Sequence, residues 1–589
     1  MQTFSKRAAA VAALIGGLAL APAIGQDRPE SILPPGFGDP APTPTPTPVP
    51  SPRPDAPGVP SAGPSVPSPL TPGPTPSPTP SATPTPDPEL LALYEMPLAA
   101  RRSLSLVGPA SEREGALSAD AFGDADGRFI ETLMRRTAAP LPSRWLSILL
   151  RRTLAARLVT PPGVNGADFA AERAWLLLRM GEAHAARAVV QSVDTLNVTP
   201  KLRQVAMNAM LATGDPAGLC PLAGGQAVER GWVLARAMCA ALEGSPAAAG
   251  RQLTQARRRR VADGVDLLLA QKVAGAGGQG RQAVTIEWDG VVQLTSWRWG
   301  LATATGVAVP DALYATAGPQ VRYWQALSPA VAVTDRVAAA ELAAAQGVLS
   351  SAAMVDLYAS VAADDAASPA DASVAQDLRT AYIAGSGQAR LAALRTIWGN
   401  AARVPYGRVV LTARAAARLP VAGSAGEADR VVASLLSAGL DRAAARWRTG
   451  VEAGSDGWAM IALADPDVQG ALAYSELAGY AGSGDARLKQ RLLFAGLAGL
   501  GRLDAADVER AAEALDVRIG ADNSWTRALD RAAANGEQGT VVLLSAIAMQ
   551  TGEWRGVPPE ALYRILGALR AVGLGGEARM IAAEAIARA

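Results

Sequence analysis

Side chains that carry chemistry are scarce in this chain. It holds a single histidine, His184, and two cysteines, Cys220 and Cys239, in 589 residues. Lysine is confined to Lys6, Lys201, Lys272 and Lys489, and arginine supplies the rest of the positive charge. A serine–histidine–aspartate or cysteine–histidine engine would depend wholly on His184, and no Gly-x-Ser-x-Gly elbow accompanies it. His184 therefore reads as a surface or helix-cap residue. Two cysteines and one histidine are too few for a structural zinc site. The formal charge of +2 rules out the basic field that drives nucleic-acid binding. No phosphate loop or dinucleotide fingerprint occurs, so no cofactor, catalytic residue or metal is expected. Beyond the N-terminus no apolar run approaches the ~20 residues that span a bilayer. The strongest, Val541 to Met549, is short and lies between Glu537 and Glu553.

What the chain does have is concentrated at its start. Lys6 and Arg7 precede an apolar stretch from about Ala8 to Leu20, Pro22 breaks it, and Ala23 and Gly25 fill the −3 and −1 positions of a small-residue cleavage site. Residues 1–25 are expected to be a signal peptide removed after Gly25, giving a periplasmic or secreted protein. No cysteine adjoins the site and no arginine pair precedes it, so neither a lipoprotein nor a twin-arginine route is implied.

Residues 26–88 form a Pro/Thr/Ser-rich arm, as in Thr43-Pro44-Thr45-Pro46-Thr47-Pro48. Alternating proline removes backbone donors and fixes φ, so neither helix nor sheet is expected there. In the polyproline II conformation, at ~3.1 Å per residue, some 60 residues reach roughly 190 Å. The arm reads as a spacer. Ile32-Leu33-Pro34-Pro35-Gly36-Phe37-Gly38 interrupts its low complexity with large apolar residues, the composition of a short docking motif.

From Glu89 onward apolar residues recur at spacings of 3 and 4, as at Trp145, Ile148 and Leu149. Helices stop at Gly or Pro and restart after short polar links. The fold class is all-α. The best strand candidates, Arg408-Val409-Val410-Leu411 and Ala283-Val284-Thr285-Ile286, are short. Gly181, Gly214 and Gly244 each close an apolar helix that a second, shorter one follows. Ala174 and Ala186 hold the small positions of the first such pair, and Ala237 and Ala249 those of the third. In the second pair Met207 and Leu219 stand there instead, and Pro221 shortens the following helix. The same Gly-x4-Ala spacing recurs at Gly347/Ala352, Gly387/Ala392, Gly439/Ala444, Gly501/Ala506 and Gly573/Ala578.

This pattern resembles the tetratricopeptide helix–turn–helix repeat, fairly over about 165–260 and loosely elsewhere. The resemblance implies a right-handed α-solenoid following the disordered arm. Two blocks are expected, 89–361 and 376–589, joined by a linker at 362–375 that lacks an apolar face. In an oxidising compartment Cys220 and Cys239 are expected to pair, stapling the second and third copies together.

Asp124-Ala125-Asp126-Gly127 resembles half of a calcium loop, but Phe122 and Leu133 occupy the positions an EF-hand gives to Asp and Glu. A helix-start turn is expected instead. Arg257 to Arg260 reads as a solvated helix end. Trp288, Trp297 and Trp299 cluster around Glu287-Trp288-Asp289-Gly290, and are the candidates for partner or glycan contact. A long helical superhelix also occurs in soluble lytic transglycosylases, but their catalytic Glu-Ser order is reversed here, at Tyr474-Ser475-Glu476-Leu477. Together these readings imply an exported, non-enzymatic helical-repeat adaptor with envelope proteins as partners. The alternative is an accessory factor that binds peptidoglycan or another polysaccharide.

Overall fold

A computed structural model describes residues 97, 100–224, 229–277, 284–399, 404–421, 425–468 and 470–589. The expected signal peptide, the proline arm and the 32–38 motif lie outside the described residues. The compact unit considered below runs from Arg102 to Ala589.

The described chain is mostly helical, as its periodicity implies. In chain order the helices that matter are α1 (Gly127–Arg136), α2 (Arg144–Ala155), α3 (Gly166–Arg179), α4 (Ala183–Gln191), α5 (Pro200–Ala212), α6 (Arg230–Leu242), α7 (Pro246–Arg258), α8 (Gly264–Gly277) and α9 (Ser296–Ala304). They continue with α10 (Asp311–Tyr314), α11 (Gln320–Leu327), α12 (Val333–Ala345), α13 (Ser351–Val361), α14 (Pro369–Ile383), α15 (Gly387–Trp398), α16 (Tyr406–Ala416), α17 (Ala428–Ser437), α18 (Asp441–Ala445) and α19 (Asp456–Ala464). The last are α20 (Tyr474–Ala478), α21 (Ala486–Leu500), α22 (Ala505–Ala514), α23 (Ser524–Ala534), α24 (Gln538–Ala548), α25 (Pro559–Ala571) and α26 (Gly575–Arg588).

Starts and stops follow local chemistry. Asp126, Ser143, Asn165 and Thr199 each accept a hydrogen bond from a first-turn amide. Asp126 thus starts a helix rather than a calcium loop. Gly181, Gly214, Gly244, Gly347, Gly439, Gly501 and Gly573 all have left-handed φ between +67° and +88° and end a helix. Gly387 does not: it begins α15 with an ordinary φ, and its paired Ala392 is exposed. That match reflects the abundance of alanine. Ala186, Ala249, Ala444 and Ala578 are buried where paired helices cross, whereas Ala506 lies on the surface. The second pair departs as its residues imply. Its second member is only a 3₁₀ turn, Ala217–Leu222, with Pro221 inside it.

Three details differ from the sequence reading. Arg408–Leu411 lies inside α16, because Tyr406 to Ala416 sustain a helical apolar face. Val284–Ile286 form no regular element, and residue 283 is not described. A two-stranded antiparallel sheet pairs β1 (Leu106–Val107) with β2 (Leu158–Val159), in the register Leu106 with Val159 and Val107 with Leu158. Fully buried Arg173 holds it, donating to the carbonyls of Ala156 and Val107 at 2.8 Å each.

The 362–375 stretch is also not an open linker. Ser368 caps α14 and Pro369 occupies its first turn. α14 packs on α13, α15 and α16, and helices from either side of the stretch meet elsewhere too. α2 packs against α24 and α26, and α1 against α24. α26 additionally touches α17, α19, α21 and α25. An open repeat array confines contacts to neighbours; in this unit α26 joins α2, near its start, to four helices between residues 428 and 571.

The junction is fastened by polar side chains. The Glu584 carboxylate accepts from the Ser143 hydroxyl at 2.6 Å and from the amides of Arg144 and Trp145 at 2.8 and 3.1 Å. It therefore caps α2 from a helix some 440 residues away in sequence. Arg588 donates to Glu584 and to the Pro142 carbonyl, each at 2.7 Å, and lies over the Tyr406 ring. Arg144, itself buried, donates to the carbonyls of Ser437, Ala344 and Leu349. Ser437 and Ala344 are at the C-terminal ends of α17 and α12, where carbonyls lack helical partners. Burial lowers the Arg144 guanidinium to about 10, and nearby Tyr406 and Glu584 oppose the shift.

Candidate functional site

The three tryptophans singled out from the sequence fall in one region but in different environments. Residues 284–295 carry no helix or strand. Trp288, within them, is half-buried, and its indole N–H donates to the Ala308 carbonyl at 3.0 Å. Trp297, on the first turn of α9, is also half-buried and donates to the Asp266 carbonyl at 3.3 Å. Trp299 is fully buried, edge-on to Trp324 at 5.7 Å between ring centres. Trp299 is therefore core, not contact surface. Positions 297 and 299 are two residues apart on a helix, so they point about 200° apart. Val292, four residues beyond Trp288, is 83% exposed.

Charged groups frame this surface. The Asp266 carboxylate, on α8, accepts from Arg298 Nε at 2.8 Å and from Arg230 at 3.2 Å. Arg298 also donates to the Gln293 carbonyl at 2.6 Å, fixing the end of the 284–295 loop to α9. Buried Ser296 donates to Asn208 on α5 at 2.5 Å. The loop thus presents Trp288 and Val292 from a base tied to α5 and α8.

Cys220 and Cys239 form a disulfide with Cα atoms 5.4 Å apart, joining the 3₁₀ turn to α6. His184 is exposed on the first turn of α4. Among the described residues no group of three His, Cys, Asp or Glu is arranged to hold a metal ion, and no helix is long and apolar enough to cross a membrane.

Two polar clusters escaped the sequence reading because their members are far apart along the chain. In the first, Asp456 accepts from the Tyr480 and Ser483 hydroxyls, both at 2.5 Å, and from Lys489 Nζ at 2.9 Å. Serine, tyrosine and lysine together are catalytic residue types. Here all three donate into one carboxylate, in a largely buried cluster. Burial and the bond to Asp456 push the Tyr480 phenol well above its usual range, so it keeps its proton. A Cβ at Gly482 would fall 2.0 Å from the Tyr480 hydroxyl, so the strand of loop over this cluster must pass as bare backbone.

In the second cluster, Lys201 Nζ lies 2.7 Å from Glu172 and 3.6 Å from Glu131. Arg135 approaches the same two carboxylates at 3.4 and 3.7 Å. Burial raises the Glu131 carboxyl, and Lys201 opposes the shift. Two carboxylates brought this close are the raw material of acid–base chemistry. Two open depressions of about 600 Å³, however, are lined by residues 512–521 and 247–258, not by this pair.

Comparison with known proteins yields no matching family model, no similar curated protein and no similar solved structure.

Proposed function

We propose that the chain is an exported helical-repeat scaffold acting as an adaptor in the bacterial cell envelope, with the tetratricopeptide-like pairs of a right-handed solenoid drawn together end to end by α26. The observation that carries this reading is a contrast. The clusters around Asp456, Glu584 and Glu172 meet donors of the fold itself, while Trp288 and Val292 stand on a braced surface loop. Aromatic anchors on pre-ordered backbone suit protein recognition, because little side-chain entropy remains to be lost on binding. The proline arm then supplies reach, and the signal sequence places the scaffold outside the cytoplasm.

The test is crosslinking in intact cells followed by affinity capture of the tagged chain and mass spectrometry. A dominant envelope protein, lost on Trp288→Ala, is the expected result. Recovery of wall material alone, or capture indifferent to Trp288, overturns the adaptor reading. An indole face can also stack on a sugar ring, so that outcome promotes a polysaccharide- or peptidoglycan-binding accessory factor. Binding of purified glycan by the wild type but not by Trp288→Ala would then settle the alternative.

A further inference from the structure

We propose that α7 and the turn after it form a binding surface for a flexible polyanion carrying phosphate groups. From Gly244 to Ala262 the chain contains Arg251, Arg257, Arg258, Arg259 and Arg260 and no acid. All five arginines are exposed. None of their side chains forms a hydrogen bond or ion pair among the described residues, unlike Arg230, Arg298, Arg144 and Arg588 in the same unit. The nearest acids along the chain, Glu243 and Asp263, flank the segment at either end.

The geometry comes from how α7 packs and ends. Ala249, Leu253 and Ala256 are buried, facing the protein. The opposite face is a shallow groove of about 600 Å³, lined by Ala247, Gly250, Arg251, Thr254, Gln255 and Arg258. These recur at steps of three and four, so one stripe runs along the helix, floored by small residues. Arg251 and Arg258 are two turns apart on it, roughly 10 Å along the axis at 1.5 Å per residue. The helix ends at Arg258, Arg259 caps it, and Arg260 adopts a left-handed φ of +54°. A run of four arginines inside a helix would turn one side chain toward the core. Ending the helix here leaves all four in solvent.

The arrangement selects among anions. The last four guanidinium groups fan around a helix end, so a flat membrane would meet only some of them, while a flexible chain can bend round all. The groove offers no aromatic side chain on which nucleic-acid bases could stack. Nor does it offer an apolar pocket of the kind that gives peptide recognition its specificity. What remains is repeated charge, and the planar guanidinium fork matches phosphate oxygens in pairs. A sugar-phosphate or polyol-phosphate chain fits this description.

The experiment uses the full chain and fluorescently labelled inorganic polyphosphate, read by anisotropy. Expected are saturable binding at low salt and a loss of roughly fifty-fold between 50 and 200 mM salt, if four groups each displace a counterion. The variant R251A/R257A/R258A/R259A should weaken binding at least ten-fold with an unchanged melting temperature. The matching four-lysine variant keeps the charge and loses the fork, so it should bind at an intermediate level. The proposal fails if polyphosphate does not bind, or if the alanine variant binds as well as the wild type. It also fails if polyglutamate binds as tightly as polyphosphate, or if vesicles of anionic phospholipid are bound when polyphosphate is not.

Discussion

At the scale of single residues, Glu584 concentrates the most consequence. Its carboxylate caps α2 and pairs with Arg588 inside the protein. Replacing it with alanine strands buried donors and a guanidinium, and removal of one partner from such a pair costs about 3–5 kcal/mol. E584A should therefore unfold in urea at a markedly lower midpoint. Glu131 behaves oppositely. Burial raises its carboxyl above the ordinary 4.5, so its share of stability is full below that pH and is lost as pH rises through the folded-state value. Glu182, raised by burial with Arg151 opposing, has the same sign. Melting temperature measured from pH 4.5 to 7 should fall less steeply in E131Q than in wild type. Neither residue announces itself in the sequence. A glutamate on an alanine-rich helix looks solvated until its tertiary neighbours are known, and those of Glu584 lie at the far end of the chain.

Among elements, the turn glycines divide by what surrounds them. Gly181 and Gly244 share a left-handed φ, of +86° and +83°. A Cβ at Gly181 would sit 2.5 Å from the Tyr323 ring, whereas Gly244 faces open space. G244A should cost about 1–2 kcal/mol, the strain of a left-handed L-residue. G181A should cost clearly more, because Tyr323 must also move, and denaturant titration of the two variants separates these contributions. The sequence shows both glycines as helix stops with equal clarity. It cannot show the difference, which depends on α11. The disulfide belongs to this scale as well. The 3₁₀ turn 217–222 is short and contains a proline, so it relies on its bond to α6. Closing the intervening loop is worth about 3 kcal/mol in the chain-entropy model. Reduction should lower the melting temperature and speed hydrogen exchange first at 213–224, with α24 the slower to respond. The helix stops at Gly181, Gly214 and Gly244 and the shortened second member of the middle pair were legible, because each is written in residues adjacent along the chain. The two-residue strands were not, being too short to show a period of two.

For the folded unit as a whole, the decisive property is where its ends meet. Helical periodicity reports which face of each element is apolar, not which distant element will cover it. An open array and one drawn together therefore read alike, and the contacts of α26 with α2, α17 and α19 had no local signature. The tryptophans show the same limit. Trp288, Trp297 and Trp299 form one cluster in sequence, yet the helix sends Trp299 into the core. Removing residues 575–589 tests the arrangement. Losing the end repeat of an open array costs little beyond that repeat. Here it uncovers faces of five helices, so the truncated chain should unfold at a lower urea midpoint than the intact one and bind a hydrophobic dye.

The position of α26 also sets a timetable. Every helix it touches precedes it, so a chain emerging from its N-terminal end exposes the α2 surface long before its cover arrives. At ~5–20 residues per second the interval between α2 and α26 lasts tens of seconds. Throughout it the apolar surface of α2 stands without the helix that covers it in the finished fold.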